Sequence, residues 1–195
     1  QVNLRFRVVS DTNAVQSDGW YLDDIRIDET TYPPVAYPFV DNLDTAATAN
    51  NWHNSTWSLV SGGYSGDYAF TDSASGNYVE FIWNELVMTN TIDLRGAIYP
   101  QLSFWHKHDI YSIDSIYCSG TTNEYDYGRV YVSTNKGQAG TWTQLASFKG
   151  SQATWKQERI DLSNYAGLPN LRFKFVMNDN KAGNNNCNHF GAGWT

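Results

Sequence analysis

Apolar and polar residues alternate along most of this chain. Leu171, Phe173, Phe175 and Met177 fall on one face of an extended segment, with Arg172 and Lys174 on the other. Near the start, Leu4, Phe6 and Val8 repeat the scheme against Arg5 and Arg7. A period of two puts successive side chains on opposite faces, the mark of a half-buried strand. The same pattern predicts strands over 56–60, 68–71, 78–83, 86–92, 102–108, 129–133, 142–147 and 155–162. No ten-residue segment carries a 3.6-residue apolar period. Turn residues punctuate the strands: Ser61-Gly62-Gly63, Ser75-Gly76-Asn77, Asn135-Lys136-Gly137 and Ala166-Gly167-Leu168-Pro169. Many short strands with regularly spaced turns predict an all-β fold, an antiparallel β-sandwich of the jelly-roll kind.

The alternating segments also repeat. Leu4-Arg5-Phe6-Arg7-Val8-Val9 returns as Leu171-Arg172-Phe173-Lys174-Phe175-Val176, and Gly19-Trp20 returns as Gly193-Trp194. The first copy continues into Tyr21-Leu22-Asp23-Asp24-Ile25, and the second reads Thr195 at the corresponding place. A spacing this long is that of a domain repeat, longer than a solenoid unit. Between the copies, Pro33, Pro34 and Pro38 resist helix and keep the backbone extended. The expected organisation is therefore tandem: 1–30 as the closing strands of one module, 31–38 as a proline-rich linker, and 39–195 as a second module without its last strand. That strand is expected from the continuing chain of an array, or from a neighbouring subunit that donates its 21–27 segment.

Composition narrows the function. The chain has 13 basic and 20 acidic residues, a formal net charge of −7, and no Lys/Arg cluster. Nucleic acid, which needs such clusters, is not an expected partner. No apolar run approaches the roughly 20 residues that span a bilayer. Aromatics make up 15% of the residues. Cys118 and Cys187 both sit in polar loops. They read as a disulfide formed in an oxidising compartment, or as two unrelated thiols.

Several motifs, in order, carry a resemblance. They are Phe39-Val40-Asp41-Asn42-Leu43, Ile92-Asp93-Leu94-Arg95-Gly96, Pro100-Gln101-Leu102-Ser103-Phe104-Trp105-His106 and Asp126-Tyr127-Gly128-Arg129-Val130-Tyr131-Val132-Ser133-Thr134. Gly140-Thr141-Trp142, Ile160-Asp161-Leu162-Ser163-Asn164-Tyr165 and the closing Asp18-Gly19-Trp20-Tyr21-Leu22-Asp23-Asp24-Ile25 follow. Together they resemble the MAM-like jelly rolls of secreted bacterial proteins. That group includes choice-of-anchor J and cleaved-adhesin modules and the module beside immune-inhibitor-A-type metalloproteases. The resemblance implies a secreted, extracellular β-sandwich that adheres, binds glycans or proteins, or accompanies a protease domain. It does not imply catalysis. It departs in the Cys187 loop and in Gly191-Ala192-Gly193-Trp194, which lacks the Asp before Gly-Trp.

The same resemblance implies a structural calcium ion joining first and last strands. Its ligands would be Asp41 on the opening strand and Asp23 or Asp24 on the closing one, because calcium takes hard oxygen ligands. The competing reading is a carboxylate capping turn amides. His106 and His108 share a strand face and read as a metal pair or as residues packed beside the core. No catalytic motif is present, and the Glu80/Glu85 pair has no support as glycosidase carboxylates. Loop aromatics, with Tyr111, Tyr117 and Tyr125 foremost, are candidates for contact with a surface glycan or a cell-surface protein. Asn54-Ser55-Thr56 is an N-glycosylation sequon at Asn54. The expected function is a non-catalytic structural or adhesive repeat whose first partners are neighbouring modules. The alternatives are a carbohydrate-binding accessory module of a secreted hydrolase and a filament subunit joined by strand donation.

Overall fold

A computed structural model describes residues 34–54, 56–78, 82–110, 126–179 and 191–195. The chain divides into two units at Thr31, and every described residue belongs to the second, Tyr32–Thr195. The described elements are twelve strands and two short 3-10 turns. The strands are β1 Pro34–Ala36, β2 Trp52–Asn54, β3 Ser58–Ser61, β4 Tyr68–Thr71, β5 Trp83–Met88 and β6 Thr91–Asp93. They continue as β7 Gln101–Ile110, β8 Tyr127–Ser133, β9 Trp142–Phe148, β10 Gly150–Asp161, β11 Arg172–Asn178 and β12 Gly193–Trp194.

The strands form an antiparallel β-sandwich. One sheet runs β2-β5-β11-β8-β9, the other β10-β7-β12, and β3 and β4 form a hairpin. The inner face of β11 carries Phe173, Phe175 and Met177, as its alternation predicts. Across the sandwich Phe175 meets Phe104 of β7 edge to face, with ring centroids 5.1 Å apart. Leu86, Val130, Met177 and Trp194 centre one half of the core, and Met88, Val132, Leu171 and Phe173 the other. Burial of such side chains is the main favourable contribution to folding.

Four local expectations change. Pro34–Ala36, inside the proline-rich stretch, pairs in parallel with β6 in the register Val35 to Ile92. Pro at the start of an edge strand is tolerated because its missing N–H is not required there. The predicted 86–92 strand is two strands, β5 and β6, split at Thr89, whose N–H bonds to Asn51 O at 2.7 Å. Residues 39–43 form no strand, so Asp41 lies in an irregular segment. In the β8–β9 turn the positive φ values fall on Lys136 and Gly137, not Asn135. There the buried Ser133 Oγ accepts the N–H groups of Asn135 and Gly137 at 3.1 and 3.0 Å. That satisfies turn donors locally and makes this hairpin a structural feature. The repeated segment 4–27 lies outside the described residues.

Candidate functional site: an aromatic-rimmed groove beside the long central strand

The strand β7 positions the site. Its even residues face the core and its odd residues face outward, so Phe104 and His106 point inward while Trp105 and Lys107 point out. On one side β7 pairs with β10 along its length. On the other it pairs only with the two residues of β12, Gly193 to Asp109 and Trp194 to His108. Lys107 and Thr195 exchange both backbone hydrogen bonds, at 2.9 and 3.0 Å. Beyond that point no described strand covers this edge of β7.

A groove follows the uncovered edge. It is a cavity of about 730 Å³ with β7 on one bank and residues 37–43 and 64–70 on the other. Its floor reaches the sandwich interior at Trp57, Phe70, Leu86, Phe104 and Trp194. Of eight exposed large hydrophobic residues among those described, six line this groove: Tyr37, Val40, Tyr64, Ile98, Tyr99 and Trp105. Single exposed apolar residues are ordinary, but a contiguous set marks an interaction surface. At the rim Tyr64 stacks on Trp105 at 3.7 Å between centroids, and Trp155 meets Tyr64 edge-on at 6.3 Å. Lys107 Nζ lies 5.1 Å from the centroid of the Trp155 ring. That distance suits a cation–π contact.

The upper end of the groove is closed by β12. Trp194 is buried, and its N–H donates to Asp72 Oδ1 at 2.7 Å. Its indole N–H donates to His106 Nδ1 at 2.9 Å. The repeated Gly-Trp pair has a steric reason. Gly193 has φ +79, and a Cβ there would lie 2.2 Å from Ser73 Oγ and 2.4 Å from Asp72 Oδ1. Gly128 of β8 lies flat against the Trp194 ring, where a Cβ would come within 2.8 Å. Burial pushes the Asp72 carboxyl up to about 6, against the lowering effect of its bond from Trp194.

The structure separates the sequence candidates. Asp41 is a hydrogen-bond hub: its carboxylate accepts from Thr48 Oγ1, from Asn51 Nδ2 at 3.1 Å, from Trp52 Nε1 at 3.0 Å and from the Leu43 N–H at 3.3 Å. These four donors give the carboxylate the contacts of the capping role; the calcium expectation rests also on Asp23 or Asp24. Asp23 and Asp24 lie outside the described residues. His106 and His108 stack at 5.2 Å in the core, against Phe148. Burial, with the charge of His108 adding to it, holds the His106 imidazole down near 4, so it is neutral at neutral pH. His106 Nε2 lies 3.6 Å from Glu158 Oε1. This is packing with a hydrogen bond to Trp194, and among the described residues no cluster suited to a metal forms. Glu85 pairs with Lys174, which lies over Trp142 at 4.6 Å, Tyr131 at 5.3 Å and Trp83 at 6.0 Å. Lys174 was expected on a solvent face and is buried inside this aromatic cage. Asn54 ends β2 opposite Leu86. Tyr111, Tyr117, Tyr125, Cys118, Cys187 and Glu80 lie outside the described residues. Sequence reasoning missed Trp105, Tyr99 and Trp155. Their signal was an aromatic at an outward strand position or beside a turn, but only pairing shows that these positions share one groove.

Fold and site together define a β-sandwich module with an aromatic-rimmed groove. In comparison with known proteins, no protein-family model matches. The chain is 26% identical to Bacillopeptidase F of Bacillus subtilis over 167 residues, 80% of this chain and 10% of that protein. It thus spans about a tenth of that protein's length. Among solved structures, the K2 cleaved adhesin domain of Lys-gingipain aligns with a TM-score of 0.40 at 13% identity, covering 67% of this chain and 88% of that one. The CBM22-2 xylan-binding domain of Paenibacillus barcinonensis Xyn10C aligns with a TM-score of 0.38 at 14% identity, covering 75% and 90%. Among the described residues no helix is long and apolar enough to cross a membrane.

Proposed function

We propose that the chain is a non-catalytic accessory module of an extracellular protein, and that it adheres through the groove beside β7. The observation that carries this reading is the gathering of Tyr37, Val40, Tyr64, Ile98, Tyr99 and Trp105 around one opening. Exposed rings supply large contact area at low entropy cost, which is what recognition surfaces use. The similarity to part of Bacillopeptidase F supports an attachment beside a protease domain. A second reading is carbohydrate binding, favoured by the Tyr64–Trp105–Trp155 ring cluster, because sugar faces stack on aromatic faces. Both readings meet in one experiment. Retention of the chain on immobilised polysaccharides and on intact bacterial and animal cell surfaces is measured beside Tyr99→Ala and Tyr64→Ala. The adhesive reading expects retention on at least one surface and a loss of about tenfold or more in each variant. Retention confined to polysaccharide selects the carbohydrate reading. A chain that binds no surface, or variants that bind as well as the parent, would end both.

A further inference from the structure

We propose that the outer face of the five-stranded sheet is a second binding surface, and that its ligand is an acidic polysaccharide, a glycan whose sugars carry carboxylates. Arg129 and Lys174 supply the positive charge, and Trp83 and Tyr131 supply rings for the sugar faces. This surface lies on the opposite side of the sandwich from β7 and goes beyond the reading of the groove.

Strand alternation assembles the surface. Phe173, Phe175 and Met177 of β11 turn to the core, so Arg172 and Lys174 turn outward. Pairing then fixes the neighbours. Lys174 lies opposite Val87 of β5 on one side and Tyr131 of β8 on the other. Glu85 and Arg129 lie opposite Val176, two residues along. Trp83 and Tyr127 lie opposite Asn178, two residues further. Trp142 of β9 joins from the other end, opposite Ser133.

Charge sets this face apart. The charged residues of the strands β2, β5, β11, β8 and β9 are Arg129, Arg172, Lys174 and Glu85, three cations against one carboxylate. All four turn outward, so the face is basic on a chain whose formal net charge is −7. Arg129 donates to Asn178 Oδ1 and lies 4.3 Å from the centroid of the Tyr127 ring, both neutral groups. Its charge is therefore oriented but not cancelled. The Lys174 side chain is only 9% exposed and pairs with Glu85 beneath the rings of Trp83, Tyr131 and Trp142.

The rings are set in place before any ligand arrives. Trp83 is 55% exposed, yet its indole N–H donates to Glu85 Oε1 at 2.7 Å. An exposed ring that is already held loses little freedom on binding. Acidic sugar units match both features. Their C–H faces stack on rings, and their carboxylates accept the parallel N–H groups of a guanidinium. A neutral glycan would leave Arg129 unused, and tight nucleic-acid binding calls for a larger set of cations.

The test follows the mobility of the whole chain in native gels containing polygalacturonate, dextran or single-stranded DNA. Polygalacturonate is expected to retard the chain, less so as salt is raised, with dextran and DNA giving little retardation. Trp83→Ala and Arg129→Gln are each expected to weaken the retardation about tenfold. Arg129→Lys, which keeps the charge and loses the guanidinium fork, is expected to restore only part of it. Melting of Trp83→Ala is expected to match the parent, because the ring it removes is largely exposed. Tyr99→Ala, at the groove, is expected to leave the retardation unchanged. No retardation by polygalacturonate would overturn the inference, as would equal retardation by dextran or by DNA. So would full retardation of Trp83→Ala and Arg129→Gln, or a loss in Tyr99→Ala that moved the site to the groove. Failure of the groove as an adhesive surface leaves these outcomes as they are.

Discussion

Asp41 shows how hydrogen-bond donors alone can satisfy a carboxylate. A carboxylate near the start of a jelly roll is read from sequence as a calcium ligand or as a cap. Its neighbours are Asn51 Nδ2, Trp52 Nε1, the Thr48 hydroxyl and a backbone N–H. These donors satisfy a half-buried charge that would otherwise be costly. A calcium ion would have to displace them. The melting midpoint is therefore expected to be the same in excess calcium and in excess chelator. A chelator-induced drop of several degrees would restore the metal. Asp41→Ala is expected to cost about 1–3 kcal/mol in chemical denaturation, because it leaves partly buried donors without their acceptor.

At the scale of elements, β12 carries far more than its two residues suggest. Trp194 touches Trp57, Phe104, His106, Phe148 and Phe175 at centroid distances of 5.8, 6.5, 6.0, 5.5 and 5.6 Å. It joins β7, the strands of the facing sheet and the β4 end in one cluster. Trp194→Ala is expected to cost about 3–5 kcal/mol, the range for emptying a buried aromatic site. Gly128→Ala tests the same contact from the other side. Its methyl would meet the Trp194 ring inside van der Waals distance, so tryptophan fluorescence and stability should both change although nothing apolar is removed. An unaltered spectrum and midpoint in Gly128→Ala would mean that the ring does not rest on β8.

At the scale of the whole molecule, two buried groups bend the pH dependence in opposite directions. The His106 imidazole titrates near 6.5 unfolded and about 4 folded. Between those values the unfolded chain holds the extra proton, so its contribution is full above 6.5 and is lost as pH falls toward 4. Asp72 titrates near 3.8 unfolded and about 6 folded. There the native chain holds the extra proton, so its contribution is full below 3.8 and is lost as pH rises toward 6. Each amounts to about 3 kcal/mol over its window, and the two largely offset. Asp72→Asn keeps an acceptor for the Trp194 N–H and removes one of the pair. It is expected to lose about 3 kcal/mol more than the parent between pH 6.5 and 4, read from urea midpoints. Parallel curves for variant and parent would refute the assignment.

The sequence by itself determined most of the described strands and, for β11 and β7, the face turned to the core, because a period of two couples residue order directly to the two faces of a sheet. The alternation in 171–177 found the inner face of β11, and the polar turns found most strand ends. Repetition also marked Gly-Trp as a unit, although the reason for the glycine, the close approach of Asp72 and Ser73, came from the fold. Tertiary structure decided the rest. Which strands flank β7 depends on pairing between residues far apart in the chain, and no local pattern records it. Trp105, Tyr99 and Tyr64 look like scattered aromatics until the fold brings them around one groove. The roles of Asp41 and His106 were likewise set by neighbours, because a polar side chain takes its chemistry from the donors, acceptors and rings that surround it in space.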